Sequence, residues 1–488
     1  MKKYNPDIAV ITTIILLIGI YLIVSTTLIS KDGVLYIDGA KHFAKYSLIE
    51  TVKNLEICPG YPFLIYMTHK AISLFGNAES LQIWIVSAQA TALFCKLIAS
   101  IVLYYIASYS AGRKYAFWGI LILSILPDSA EYGSDALSEW PHLMFLTIGF
   151  LFLMWGARYK NSWMFGLAGI AAGLGYLVRS ESVQLLIYGF VWLLFNFTRS
   201  ACRMTRLKTA LALILLVTSF AVIASPYIVS KGYVFPKQHL LDLNKIFGIN
   251  ENFNAVCGTH ISYAGDTMGN KTIVKNICET LVYYFVPGLL IGCYHYFRKY
   301  SKTFEYKFLI ISFLILNIML LIWQESHQHF ISRRHTLNLV IFTIFFIPIG
   351  IQIIADWINE KTSNTISAEK SRRNCYYVLI AIGIMICFVK LFRHTTSQKK
   401  GFIDAAMWLK KNTAQEDIIA VPDKRIAFYA QRPWLEYSED LGIPKEIHFI
   451  VKISNPTKNP GLQDNDNEKY VTWVDKKKKR KIMIISRN

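Results

Sequence analysis

Apolar runs separated by short polar stretches fill the first 392 positions. At roughly 16 to 24 residues for most of them, the runs suit helices that cross a bilayer better than helices of a soluble core. They predict spans over 8–29, 81–109, 115–126, 140–156, 163–178, 183–197, 209–229, 281–297, 308–323, 337–357 and 376–392, about eleven crossings. Between the first two, CPGYPFLIYMTHKAISLFG (58–76) opens on Pro59-Gly60 and is short, predicting a re-entrant or interfacial helix. From Lys399 the pattern changes to that of a soluble module. GFIDAAMWLKKN has helical spacing, DIIAVPD reads as a strand, RIAFYA as a helix or second strand, and YVTWV and IMIIS flank DKKKKRK as a hairpin does. The expected fold is an all-α polytopic integral membrane domain over 1–392 followed by a small α/β domain over 393–488. There is no internal repeat.

Composition agrees with a membrane protein and adds a sidedness. The 488 residues are 53% hydrophobic and 17% charged, with a formal net charge of +20. Lys and Arg sit mostly in short loops and in the C-terminal part, which favours anionic lipid or a phosphate-bearing substrate over nucleic acid. With a cytoplasmic N-terminus, the loops carrying Arg113/Lys114, Arg158/Lys160, the cluster 199–208, Arg298/Lys299/Lys302/Lys307 and Lys361/Lys370/Arg372/Arg373 face the cytoplasm, in accord with the positive-inside rule. Asp32, Glu139, Arg179, Arg334 and the C-terminal domain then lie outside. The first span follows Lys2 and Lys3 and lacks a signal-peptide cleavage site, so it reads as a retained signal anchor. A bacterial inner membrane is the expected location; the sequon Asn270-Lys271-Thr272 matters only in an endoplasmic reticulum. The eight cysteines lack CxxC spacing. Cys257 and Cys278 share one polar loop and can pair in an oxidising compartment, the alternative being that cysteines here are small buried apolar residues.

The stretch KDGVLYIDGAKHFA (31–44) places Asp32 and Asp38 just beyond the first span. An ionisable group at a membrane boundary is costly unless solvated, paired or used, which makes Asp32 the leading candidate for chemistry. Its plain alternative is a residue that ends the first helix beside Gly33 and turns the chain; Asp38 reads as a packing or capping residue. Asp135 and Glu139 are four apart at a helix start, where carboxylates favour the positive helix end. Arg179 stands between two short spans with Glu181 close by, and snorkelling to the interface is its plain reading. Arg333 and Arg334 are the best phosphate clamps, although of two neighbouring arginines one must point elsewhere. Lys41 and His42 are weaker donors to such a site. Glu325, His327, His329 and His335 match no defined metal spacing, and no metal is expected. Residues 476–481 read as a solvated hairpin end.

Several segments resemble a known group in its order. Asp32-Gly33-Val34-Leu35-Tyr36 with Ala40 is similar to D-E-x-x-Y-x-x-x-A, with Gly33 in the second acidic position. Residues 59–65 (PGYPFLI), 138–146 (SEWPHLMFL), 166–182 (GLAGIAAGLGYLVRSES, Ser180 replacing Pro) and 332–340 (SRRHTLNLV, Arg334 at the Arg position and Asn338 in place of Pro) match the group's later motifs. The chain thereby resembles the GT-C superfamily of glycosyltransferases, family 39-like, a group that includes protein O-mannosyltransferases and the lipid A aminoarabinose transferase. The resemblance implies transfer of a sugar from a polyprenyl-phosphate donor to a lipid, glycan or protein hydroxyl on the extracytoplasmic face, with inversion and with Asp32 as base. Tyr36, Lys41, Glu139, Arg179, Glu181, Arg333 and Arg334 are the expected substrate-binding residues. No cofactor, metal or nucleic-acid partner is implied.

The chemistry needs the same residue types. A base must take the acceptor proton and fixed positive charge must receive the departing phosphate; guanidinium does the latter bidentately without losing its charge. Two rivals use similar residues. A lipid-linked sugar flippase needs polar groups near mid-membrane on discontinuous helices, of which Lys96 and Gln184 are the nearest approach. A polysaccharide polymerase or ligase needs the outer arginines and histidines but not Asp32.

Overall fold

Each of the eleven apolar runs is helical, because in hydrocarbon a helix satisfies its own backbone groups. The computed structural model describes residues 6–198, 204–232, 234, 269–299, 304–328, 331–362, 368–393, 400–436, 447–454, 468–475 and 480–486. In chain order the helices are α1 Pro6–Ser25, α2 Lys31–Lys45, α3 Leu48–Asn54, α4 Gly60–Ile72, α5 Leu81–Ala111, α6 Arg113–Ile125, α7 Pro127–Tyr132, α8 Glu139–Tyr159, α9 Ser162–Val178 and α10 Gln184–Thr198. Then follow α11 Arg206–Lys231, α12 Gly269–Thr280, α13 Val286–Lys299, α14 Phe304–Gln328, α15 Arg333–Thr343, α16 Phe346–Thr362 and α17 Ala368–Arg393, with α18 Lys400–Asn412 and α19 Lys424–Ala430 in the C-terminal part.

Among the described residues seven helices are long and apolar enough to cross a membrane, and an eighth span forms if α15 and α16, bent by 65° to each other, count as one. The three other apolar runs close into α6, α9 and α13, of 13, 17 and 14 residues. At 1.5 Å per residue these are about 20 to 26 Å long, short of a hydrocarbon core of about 30 Å. The chain is an integral membrane protein, and its described residues form seven or eight full-length spans by this measure, with three shorter helices packed among them.

Close helix contact inside the bundle uses small residues, since lipid-facing surfaces gain nothing from hydrophobic exclusion. A Cβ on Gly292 of α13 would lie within 3 Å of the carbonyl of Phe346 and the amide of Gly350 on α16, so the two backbones touch only because side chains are missing there. The 58–76 segment becomes α4, a 13-residue helix packed on α2 and α5. α2 is amphipathic and buries Gly33, Val34, Ile37, Ala40 and Phe43, a stripe at helical spacing laid on the end of the bundle.

The C-terminal part holds a five-stranded sheet in the order β2-β1-β3-β5-β4. β1 (Ile419–Val421) is parallel to β2 (Trp434–Glu436) and β3 (Phe449–Ser454); β5 (Arg480–Ser486) is antiparallel to β3 and to β4 (Glu468–Asp475). The hairpin and the first strand agree with the sequence pattern, and RIAFYA is α19. Ile482 and Ile484 of β5 and Val451 of β3 form a core with Phe402, Ala405 and Leu409 of α18, and Leu28 from the α1–α2 link joins it. The sheet part therefore sits on the end of the bundle that carries Asp32: the Ile29 amide donates to the Tyr429 hydroxyl at 3.2 Å, and Phe428 packs with Ile29 and Val34.

Candidate active site

α2 begins where its cap fixes it. The Ser30 hydroxyl accepts from the Gly33 amide at 3.2 Å and donates to the Ala136 carbonyl at 3.3 Å, while the Ser30 amide donates to the Asp135 carboxylate at 3.1 Å. Asp135 thus anchors the start of α2, while the N-cap residue of α8 is Ser138. Gly33 has a steric reason here: a Cβ would stand 2.8 Å from the Ala136 Cβ and 2.9 Å from its carbonyl oxygen. The absent second acid of the motif is what lets α2 lie against the loop before α8.

That seating turns Asp32 toward α15. Arg334 Nη1 donates to Asp32 Oδ2 at 2.6 Å and lies 3.7 Å from Glu139 Oε1. The same Glu139 oxygen accepts from Arg179 Nη1 at 3.1 Å, and Arg179 Nη2 donates to Glu181 Oε1 at 3.2 Å. Asp32, Arg334, Glu139, Arg179 and Glu181, from four separate parts of the chain, form one row of alternating charge. Burial works against the Arg179 charge, but Glu181 and Glu139 outweigh it and hold the guanidinium above the usual arginine range. Glu139 is buried, with an 8% exposed side chain, whereas Asp32 is 44% exposed. The inner carboxylate is structural in position and the outer one is open to a reactant.

The remaining expected residues stand apart from that row. Tyr36 is behind it: its hydroxyl bonds the Ser138 hydroxyl at 2.9 Å, one residue before Glu139, and burial raises its pKa. Arg333 turns the other way, to Asp128 at 3.1 Å with Glu279 at 3.9 Å, and Thr280 donates to the same Asp128 at 3.1 Å. Consecutive helical residues point about 100° apart, so only one of the two arginines reaches Asp32. Lys41 pairs with Asp38 at 3.4 Å and lies 5.0 Å from the Phe428 ring, facing the C-terminal part.

Under Arg179 and Arg334 a polar pocket dips between α8, α10, α14 and α15, lined by Glu139, His142, Gln184, Asn317, Gln324 and Asn338 among others. Its floor is a network within the spans: Tyr188 donates to Gln184 Oε1 at 2.7 Å, and Asn317 Nδ2 donates to Gln184 Oε1 at 3.1 Å and to the Tyr188 hydroxyl at 2.8 Å. Sequence reasoning passed over His142, Asn317 and Gln324; the available signal for Asn317 was a lone amide inside an apolar run. A second, nearly all-apolar groove of about 300 Å³ runs between α2, α3, α4, α9 and α11, lined by Phe43, Ile49, Phe63, Leu177, Ile223 and Tyr227 among others. Leu177 places it two residues from Arg179.

Among the described residues no three His, Cys, Asp or Glu side chains are grouped to hold a metal. His329 and Cys257 lie outside the described residues, so neither the histidine grouping nor the Cys257–Cys278 pairing is described.

A family profile described as dolichyl-phosphate-mannose-protein mannosyltransferase matches residues 58–224. The crystal structure of ArnT from Cupriavidus metallidurans in the apo state superposes with a TM-score of 0.61 at 13% identity, over 98% of this chain and 97% of that one. The same protein bound to undecaprenyl phosphate gives 0.58 at 13%, with 98% and 97% covered. The oligosaccharyltransferase AglB from Archaeoglobus fulgidus, in complex with an inhibitory peptide and a dolichol-phosphate, gives 0.57 at 12%, over 91% of this chain and 69% of that one. No curated protein matches the sequence. The fold is that of the GT-C superfamily of glycosyltransferases. Within it, the profile match over 58–224 and the cover of ArnT along nearly its whole length agree with the family 39-like resemblance of the motifs.

Proposed function

We propose that this protein transfers a sugar from a polyprenyl phosphate to a hydroxyl of an envelope lipid, glycan or protein. The observation that carries the reading is the half-exposed carboxylate of Asp32 held 2.6 Å from Arg334, which shares Glu139 with Arg179. The acceptor oxygen bonds to the anomeric carbon, the bond from that carbon to the phosphate oxygen breaks, and the hydroxyl proton passes to Asp32. Polyprenyl phosphate leaves with the electron pair, and the arginines receive its charge. A single displacement of this kind inverts the anomeric centre. A phosphate arriving at Arg334 takes over a donor now directed at Asp32, which frees the carboxylate for the acceptor. The apolar groove beside Leu177 suits the isoprenoid tail. ArnT bound to undecaprenyl phosphate and AglB with a dolichol-phosphate support a lipid-phosphate ligand.

In this reading the site and the C-terminal domain, residues 393–488, face the extracytoplasmic side of a bacterial inner membrane, with the N-terminus cytoplasmic. The Lys- and Arg-rich loops on the opposite side support that orientation. Arg333 and Lys41 then act at a distance from the reacting atoms, Arg333 by holding the first turn of α7 through Asp128.

A flippase reading draws on the 65° break between α15 and α16 and on the buried Gln184–Asn317 pair. One experiment separates the readings: radiolabelled polyprenyl-phosphate sugars are offered with a cell-envelope extract to wild type and Asp32→Asn. Label reaching an acceptor only with wild type supports transfer by Asp32. Equal labelling by both removes Asp32 as base, as a polymerase or ligase without a loop aspartate requires, and labelling by neither favours transport.

A further inference from the structure

Resting on that proposed transfer, we infer that the pocket beneath the two arginines is the seat of the donor's sugar, read through the side-chain amide of Asn338. Asn338 lies one helical turn after Arg334 on α15, so both face the same pocket. The motif this segment resembles has proline there, and a proline offers no polar side-chain atom. The Asn338 amide has no hydrogen-bond partner among the described residues, whereas the neighbouring Gln184 and Asn317 amides are already bonded to each other. It offers a donor and an acceptor to a ligand, while Gln184 and Asn317 are bonded to each other and Gln324 faces the His335 ring at 3.3 Å.

The lining separates by chemistry. Arg179 and Arg334 lie in one part of the lining with Glu139 and Glu181, and the other part holds the buried amides of Gln184 and Asn317 with buried Leu321 and exposed Leu320. A hydroxyl both donates and accepts, and an amide answers both; the leucines offer an apolar wall to the C–H face of a ring. The group that must lie next to the phosphate is the one bonded to it, which selects the donor's sugar over the acceptor. The cavity is about 60 Å³ measured to the centres of water molecules. That is room for about four to six waters, or roughly 120–180 Å³ of liquid, the scale of one monosaccharide and not of an oligosaccharide.

The test uses the purified full-length protein and measures binding of undecaprenyl phosphate alone and of a panel of undecaprenyl-phosphate hexoses and pentoses. Wild type is expected to bind at least one panel member more tightly than the bare lipid phosphate. Asn338→Leu and Asn338→Ala should reduce that preference by about five- to tenfold, the loss of one or two hydrogen bonds to a sugar, and leave the bare lipid phosphate within twofold of wild type. Retained preference in both variants overturns the inference, and so does an equal loss for bare and sugar-bearing lipid, which marks Asn338 as a support for Arg334. A change confined to the acceptor KM in turnover assigns the pocket to the acceptor and also overturns it. If wild type binds bare lipid phosphate but no panel member more tightly, the sugar seat fails alone; if it binds neither, the proposed donor fails with it.

Discussion

Asp32 and Arg334, 302 positions apart in the chain, meet at 2.6 Å across the end of the bundle. Each is partly exposed, so the pair is accessible to a substrate and its contribution to stability is small. Replacing Asp32 by Asn removes the base and also releases Arg334. Transfer is expected to fall by about 10²–10⁴, while affinity for undecaprenyl phosphate stays equal or rises. A drop in lipid-phosphate binding parallel to the loss of rate would argue that Asp32 only shapes the site.

Among the described residues Glu139 is the one carboxylate paired with both arginines. Glu139→Ala leaves Arg179, itself 20% exposed, with Glu181 alone and leaves Arg334 with Asp32. The expected cost is about 2–4 kcal/mol, below the full price of stranding a buried charge because Arg334 is about a third exposed. Thermal unfolding in detergent measures it, and a variant as stable as wild type would show that the row of charges carries no structural weight.

Gly33 is required by its neighbour. Gly33→Ala brings a methyl 2.8 Å from the Ala136 Cβ, and the helix start must shift at a cost of about 1–3 kcal/mol. Adding Ala136→Gly should recover part of the stability and of the transfer rate, and purely additive effects in the double-mutant cycle would refute the contact.

Asp128 supplies a pH dependence. Burial raises its pKa, and the Arg333 charge and the Thr280 hydrogen bond oppose that rise. A carboxyl with a raised folded-state pKa favours the fold below its unfolded value, near 4, and loses that contribution as pH climbs through the folded value. Arg333→Gln lifts the folded value further. The variant should therefore match wild type in stability at acidic pH and fall behind as pH rises above the ordinary carboxylate range. Unfolding midpoints across pH check this, and a deficit that is largest in acid contradicts it.

The legible part of the site was the set of charges at the ends of apolar runs. Asp32, Glu139, Arg179, Glu181 and Arg334 stood out because a charge beside twenty apolar residues has few inexpensive explanations. The choice between Arg333 and Arg334 was not legible, since it depends on the rotation of α15 about its axis. Lys41 was open for the same reason: α2 could present it to the site only by turning its apolar stripe away from the bundle. β2 went unread because a three-residue strand such as Trp434–Glu436 has no periodicity to detect; the six-residue β3, FIVKIS, also went unread, and its length does not explain that. Lengths of apolar runs gave eleven helices, but the folded lengths of α6, α9 and α13 make only seven or eight of them full spans.

By itself the sequence determined that the chain is a bundle of membrane helices ending in a small mixed domain, because run length and periodicity are local properties and water or lipid is the only choice they express. Tertiary structure alone decided that five charges from four separate parts of the chain share one row, that position 33 has no room for a Cβ, and that Asn338 faces the pocket beside Arg334. Those facts depend on how helices seat against one another, and side-chain shape across an interface is not written in the order of residues along either partner.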